Sequence, residues 1–283
     1  MICDYHVHTE FSDDSEYEME QVVIDAIQKG ITDLCFTDHV DYGIKRDWDD
    51  AKGMIYRKGG FGEPDRIPLA NVDYPRYVER IKALRKKYEG QIKIGLGLEF
   101  GMQQQTIDQF QKLYDRFPFD FIILSLHQID NKEFWTKEFQ RGRTQKEFYI
   151  RYYEEMLSLV TQYHDYSVLG HMDLIVRYDD APEPLAFSEV KCLIEAILKK
   201  VIEDGKGIEV NTSSTRYGLE LTPSREILEL YKELGGRIIT IGSDSHKPEH
   251  LGYNISETVD LLKKIGFDEI CTYKRMQPLY HKI

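Results

Sequence analysis

The sequence predicts an α/β fold: a parallel sheet closed, or nearly closed, into a barrel, with a metal site at the C-terminal ends of its strands. Three observations lead there. Short apolar runs alternate with longer amphipathic stretches along most of the 283 residues. Seven of those runs read as strands, and six of the nine histidines fall where such a strand ends.

The runs read as strands are Ile2–His6, Asp33–Thr37, Ile92–Leu98, Phe119–Ser125, Tyr166–Gly170, Gly207–Asn211 and Ile238–Gly242. Between them lie helical patterns at Met19–Lys29, Tyr74–Tyr88, Lys146–Tyr163, Ser188–Glu203 and Ser224–Leu234, with Thr222-Pro223 and Ser188 as cap or first-turn residues. Strand–helix alternation predicts a parallel sheet with helices packed outside it. Seven strands are many for one open sheet in a chain of this length, so closure is expected, and Glu269–Tyr273 is a weaker eighth candidate. Residues 40–72 break the alternation. They are polar and glycine-rich, carry Trp48, Tyr56 and Phe61, and read as a lid, a substrate loop or a solvated insertion. No repeat or linker divides residues 1–283, so one barrel domain is expected.

Composition narrows the function. A chain this long buries a core without disulfides or a structural metal, so a bound metal serves chemistry more readily than folding. The net charge of −12, from 49 acidic against 37 basic residues, argues against nucleic acid as the main partner. A local cationic pocket could still take one small phosphorylated molecule. The four cysteines form no CxxC pair, which suggests a reducing compartment. No signal-peptide core opens the chain, and no apolar run approaches the ~18 residues of a membrane helix, so a cytoplasmic location without membrane contact is expected.

The metal-binding residue types cluster by position. The first strand ends in His6-Val7-His8, and residues two apart in an extended segment point to one side, so both imidazoles can reach one ion. The later strands end in Thr37-Asp38-His39, Leu98-Glu99, Leu126-His127, Gly170-His171 and Ser243-Asp244-Ser245-His246. That is the face where α/β barrels place active sites. A lone histidine there is usually a hydrogen-bonded polar residue; six converging with two acids are not explained so simply. Imidazole with carboxylate suits zinc, iron or manganese. Glu99 can bridge two ions, and Asp13 or Asp14 can add a ligand from the first loop. His164, His250 and His281 read as structural or exposed.

Such a centre lowers the pKa of a coordinated water toward neutrality and neutralises phosphate charge, so no nucleophilic side chain is needed, and no Gly-x-Ser-x-Gly elbow is present. Arg177 and Arg216 follow the fifth and sixth strands and could clamp a phosphate, although each could equally form a surface salt bridge.

These residues resemble the PHP (polymerase and histidinol phosphatase) superfamily. Asp4-Tyr5-His6-Val7-His8-Thr9, Phe36-Thr37-Asp38-His39, Gly97-Leu98-Glu99, Leu126-His127, Gly170-His171 and Gly242-Ser243-Asp244-Ser245-His246 occur in family order over essentially the whole chain. The resemblance implies a distorted (β/α)7 TIM-like barrel with two or three divalent ions. His6, His8, Glu99 and Asp244 would hold the first; Glu99 would bridge to a second held by His127 and His171. His39, His246 and Asp14 would hold the third, although some relatives carry histidine at the Asp14 position. The insertion after Asp38-His39 and the run Asn211-Thr212-Ser213-Ser214-Thr215-Arg216 look like those of stand-alone histidinol-phosphate phosphatases. Hydrolysis of L-histidinol phosphate is the implied reaction, with Asp244 or His246 protonating the leaving oxygen and Asp13, Glu63 or Asp130 meeting the substrate amine. Competing readings are a PHP phosphoesterase acting on nucleotides or diesters, a non-catalytic metal-binding module, and an amidohydrolase, which shares the HxH signature.

Overall fold

Seven parallel strands form the frame of the computed structural model, which describes residues 2–50, 52, 55–57 and 67–283. They are β1 (Cys3–Val7), β2 (Asp33–Phe36), β3 (Lys93–Gly101), β4 (Phe121–Ser125), β5 (Val168–Leu169), β6 (Gly207–Asn211) and β7 (Ile239–Gly242). Each pairs in parallel with its successor in the sequence, from β1 to β7. One helix fills each crossover: α1 (Met19–Gln28), α2 (Tyr74–Lys87), α3 (Ile107–Tyr114), α4 (Gln145–Gln162), α5 (Phe187–Glu203) and α6 (Arg225–Glu233), and α7 (Ile255–Ile265) follows β7. Strands covered on both faces need no polar alternation, and Phe-Ile-Ile-Leu-Ser of β4 is buried throughout. Among the described residues no helix is long and apolar enough to cross a membrane.

The barrel closes only at one end. The amide of His8 donates to the Ser245 carbonyl (2.8 Å) and that of Ser245 to the His6 carbonyl (3.3 Å), tying the top of β1 to the segment after β7. At the other end the eighth-strand candidate does something else. Residues Glu269–Lys274 pair antiparallel with Gln277–Lys282 as a hairpin outside the barrel sheet. Its apolar residues mimic a barrel strand, but its partner is its own neighbour in sequence. The hairpin is fastened by Tyr5, whose hydroxyl accepts from the Tyr273 amide (3.1 Å) and donates to the Tyr273 carbonyl (3.4 Å), and by the amides of Arg275 and Met276, which donate to Asp120.

Element ends differ modestly from expectation. β3 runs on through Glu99 to Gly101, because the short strand His39–Val40 pairs on one side of it and β4 on the other. This register sets Glu99 beside His39 and Ile123, in the middle of the sheet's upper rim. Gly97 permits the tight packing: a Cβ there would lie 2.8 Å from the Phe121 carbonyl and 2.9 Å from that of Phe36. Helix α6 starts after the expected Thr222-Pro223, with Ser224 at its N-cap, and Ser188 lies in the first turn of α5. α4 is capped by reciprocal bonds between Thr144 and Glu147. Helices α3 and α7 were not expected; the first is a short helix behind a glutamine-rich turn, and the second follows the site loop directly.

Because Tyr5 supplies both hydrogen bonds to Tyr273, Tyr5→Phe leaves a buried amide without its partner. Denaturant unfolding is expected to show a loss of about 1–3 kcal/mol. An unchanged unfolding midpoint would mean the hairpin is held without Tyr5.

Candidate metal centre

The ends of five strands bring the expected residues onto one carboxylate. Glu99 is fully buried at the rim of β3. Around its Oε2 stand His39 Nδ1 at 2.9 Å, His6 Nε2 at 3.2 Å and His8 Nε2 at 3.6 Å. Around Oε1 stand His171 Nε2 at 2.7 Å and His127 Nε2 at 3.1 Å, and the Ser125 hydroxyl donates to it at 2.7 Å. Asp244 Oδ1 lies 3.4 Å from His8 Nε2 and 3.6 Å from His6 Nε2. Asp14 Oδ2 reaches His246 Nε2 at 3.1 Å and His39 Nε2 at 3.4 Å. All nine expected ligand residues therefore lie in one cluster.

The first loop holds its shape through a residue of the Thr37-Asp38-His39 motif that does not face the cluster. Buried Asp38 accepts from the Thr9 amide and the Ser12 hydroxyl, both at 2.7 Å. Ser12 in turn accepts from the His39 amide at 3.1 Å. This network folds the loop back and delivers Asp14 to His39 and His246.

The donor set calls for cations. His6 Nε2, His8 Nε2, His39 Nδ1, Glu99 Oε2 and His246 Nε2 are buried atoms in no aligned hydrogen bond. The rings of His8 and His39 stack at 4.2 Å and those of His8 and His246 at 4.1 Å, with nitrogens turned toward shared space. Four triads place their donor atoms within 4.8 Å of one another: His6-His8-Asp244, His6-Glu99-His171, His39-Glu99-His127 and His8-His39-His246. Buried polar atoms without partners are costly, and divalent ions would satisfy them together.

Electrostatics agree. Burial opposes ionisation of Glu99 and Asp244, but the surrounding histidines, His6 foremost, hold both well below the usual carboxylate range. Burial also opposes charging His6, yet Glu209, Glu99 and Asp244 outweigh it and raise its pKa. His8 goes the other way: burial and the neighbouring His246 and His39 push it well below the usual value, so it stays neutral. His127 is raised to about 9, its burial outweighed by Glu99 and Asp41.

A second layer of buried carboxylates orients the imidazoles, and the sequence reading missed it. Glu209 bonds to His6 Nδ1 and accepts from the His171 amide at 2.9 Å. Asp41 Oδ1 bonds to His127 Nδ1 at 2.7 Å and its Oδ2 meets the Lys45 ammonium at 2.9 Å. The signal for Glu209 was present as a charged residue inside an apolar strand run. For Asp41 there was none.

The cluster floors a cavity of about 400 Å³ whose walls include Arg177, Arg216, Glu133, Trp135, Tyr217 and His250. Both expected arginines thus face the site, and among the described residues neither forms a salt bridge. Arg216 donates to the carbonyls of Ser243 (3.0 Å) and Asp244 (3.1 Å), and Arg177 bonds to the Ser213 hydroxyl under the ring of Tyr217. His250, expected to be a loop residue without a site role, stands on the wall instead, while His164 pairs with Asp204 and His281 with Thr272. Two of the three carboxylates expected to meet an amine are engaged by other side chains. Asp13 is occupied by Lys45 (2.6 Å), Asp130 points toward Arg151 from an exposed turn, and Glu63, like Phe61, lies outside the described residues.

The histidinol-phosphatase of Lactococcus lactis is 29% identical over 276 residues, covering 97% of this chain and 95% of that protein. The histidinol-phosphatase of Bacillus subtilis is 24% identical, covering 88% and 95%. A crystal structure of the L. lactis histidinol phosphate phosphatase, complexed with zinc, L-histidinol and phosphate, superimposes with a TM-score of 0.83 at 28% identity over 98% of both chains. The family model described as the PHP domain matches residues 4–213. The chain belongs to the PHP domain family.

Proposed function

We propose that the protein is a metal-dependent phosphomonoesterase that hydrolyses L-histidinol phosphate to L-histidinol and phosphate. The observation that carries the reading is the Glu99-centred donor cluster beneath a cavity walled by two arginines. Full-length likeness to histidinol-phosphatases, and to a structure holding zinc, histidinol and phosphate, supports the substrate. The allocation of ligands is the one the family resemblance implies, His6, His8, Glu99 and Asp244 for one ion, Glu99, His127 and His171 for a second, and Asp14, His39 and His246 for a third; the close triad His6-His8-Asp244 supports the first. Zinc, iron and manganese all suit this set. The acidic chain and the small cavity favour a small substrate over nucleic acid, and a cytoplasmic enzyme of amino-acid biosynthesis is the setting that fits.

Ions bound there supply an activated water nucleophile and counter-charge for the non-bridging phosphate oxygens. The protein's own groups do the rest. Arg216, anchored by two carbonyls, and Arg177, held by Ser213 and Tyr217, present fixed guanidinium groups to the phosphate. Asp244, held ionised by His6 and His8, serves as a ligand; of the two expected donors, His246 can protonate the leaving oxygen only without an ion on its Nε2, since its Nδ1 meets the Asp244 carbonyl at 3.1 Å. Among the described residues Glu133 is the cavity carboxylate outside the cluster and its second layer, and we assign it to the substrate amine.

Phosphate release should be fast from histidinol phosphate, slow from an aryl phosphate or diester, and abolished by a chelator. His8→Ala and Glu99→Gln should lose turnover by at least ~1000-fold while circular dichroism still reports a folded chain. Turnover of the diester alone would move the chain to another specificity, and no turnover after metal is restored would favour a binding module. Glu133→Gln should raise KM for histidinol phosphate about tenfold or more and leave an aryl phosphate unaffected. Equal effects on both substrates would remove Glu133 from amine recognition.

Proton competition gives a further expectation. Metal-free His127 holds its proton up to about pH 9, above its ordinary 6.5. Metal must displace that proton, so apparent affinity rises with pH up to about 9. Calorimetric titration in buffers of different ionisation enthalpy should show proton release at pH 7.5; binding without it would contradict the assignment of His127 as a ligand.

A further inference from the structure

The insertion after β2 enters the core of the molecule before it reaches the surface. Asp41, two residues beyond His39, is buried, and its carboxylate divides between two partners. Oδ1 accepts from His127 Nδ1 at 2.7 Å, and Oδ2 meets Lys45 Nζ at 2.9 Å. The Lys45 side chain, only 9% exposed, reaches Asp13 Oδ1 at 2.6 Å. A turn makes this possible, since the amides of Ile44 and Lys45 both donate to the Asp41 carbonyl. The far end of the insertion returns to the same residue: Asn71 Oδ1 accepts from the Asp41 amide at 2.9 Å. Gly101 leaves the room, because a Cβ there would collide with both Asp41 Oδ1 and His127 Nδ1.

We infer that Asp41 and Lys45 are positioning residues that set metal affinity at His127, and that the ends of the insertion serve as the support for that ligand. The inference rests on the metal-centre reading above. A hydrogen bond on Nδ1 fixes the tautomer, leaves the Nε2 lone pair free on the side of Glu99, and makes the imidazole more basic toward an ion. The acceptor must be a carboxylate for the last effect, and a buried carboxylate needs a countercharge. Lys45 provides it. Asp13 completes the chain, so that one loop from β1 and one from β2 converge on a ligand from β4. The insertion thereby acquires a task at its ends that is independent of any cover it gives the cavity.

The test is zinc affinity of the full-length protein, measured by competition with a chromogenic chelator, beside the thermal midpoint of the metal-free form. D41N keeps the shape and removes the charge; it should weaken the affected zinc equivalent by about 10–100-fold with little change in the metal-free midpoint. K45M should weaken the same equivalent, K45R should restore most of the affinity, and D41N/K45M should be no worse than D41N alone. Unchanged zinc affinity in D41N, or losses from D41N and K45M that simply add, would overturn the positioning role. If K45M fails to fold, D41N and K45R still decide the matter. Wild-type protein that takes up no zinc would overturn the metal-centre reading itself, a result distinct from normal uptake by both wild type and D41N.

Discussion

Everything in the upper half of this molecule answers to one constraint: a fully buried carboxylate, Glu99, surrounded by imidazoles from His6, His8, His39, His127 and His171. An ionised carboxylate away from water costs several kcal/mol unless it is compensated. The fold compensates it from several strands at once, which is possible only because parallel strands in a barrel deliver their C-terminal ends to one place. Glu99 sits on a strand that runs past it to Gly101, paired on both sides, so its position is fixed by backbone rather than by a loop.

The second layer explains how the imidazoles are aimed. Glu209 on β6 and Asp41 in the insertion each take one ring nitrogen and leave the other toward the cluster. Both pairs pass close over a glycine, Gly242 beside His6–Glu209 and Gly101 beside Asp41–His127, where a side chain would collide. These glycines are required by close approach and by nothing in their backbone angles. Ser213 adds a link of another kind. Its hydroxyl receives Arg177 and lies 3.2 Å from Asp244, which joins the cationic wall of the cavity to the carboxylates below it.

Much of this was legible in the sequence, for a physical reason. Strands buried on both faces are continuous apolar runs, so β1 to β7 stand out from the amphipathic helices between them, and the residue ending each run is the one the fold exposes to the site. The runs do not reveal who pairs with whom. Residues 269–273 have the composition of a barrel strand, yet the partner two residues further on claimed them for a hairpin. The positioning residues were hidden by distance: His127 and Asp41 are 86 positions apart, His6 and Glu209 are 203 apart, and no local pattern links either pair. Asp13 lies close to the site in sequence but is engaged by Lys45, whereas Glu133, proposed for the amine, reaches the cavity from a two-residue strand after β4.

The central claim is that the cluster is a divalent-metal centre bridged by Glu99. Anomalous X-ray diffraction at the zinc, iron and manganese edges, from crystals of protein purified without chelator, tests it most directly. The account predicts two or three anomalous peaks about 2.0–2.2 Å from the imidazole nitrogens, two of them sharing Glu99. Anomalous maps without peaks, with His6, His8 and His127 bonded to water instead, would contradict it.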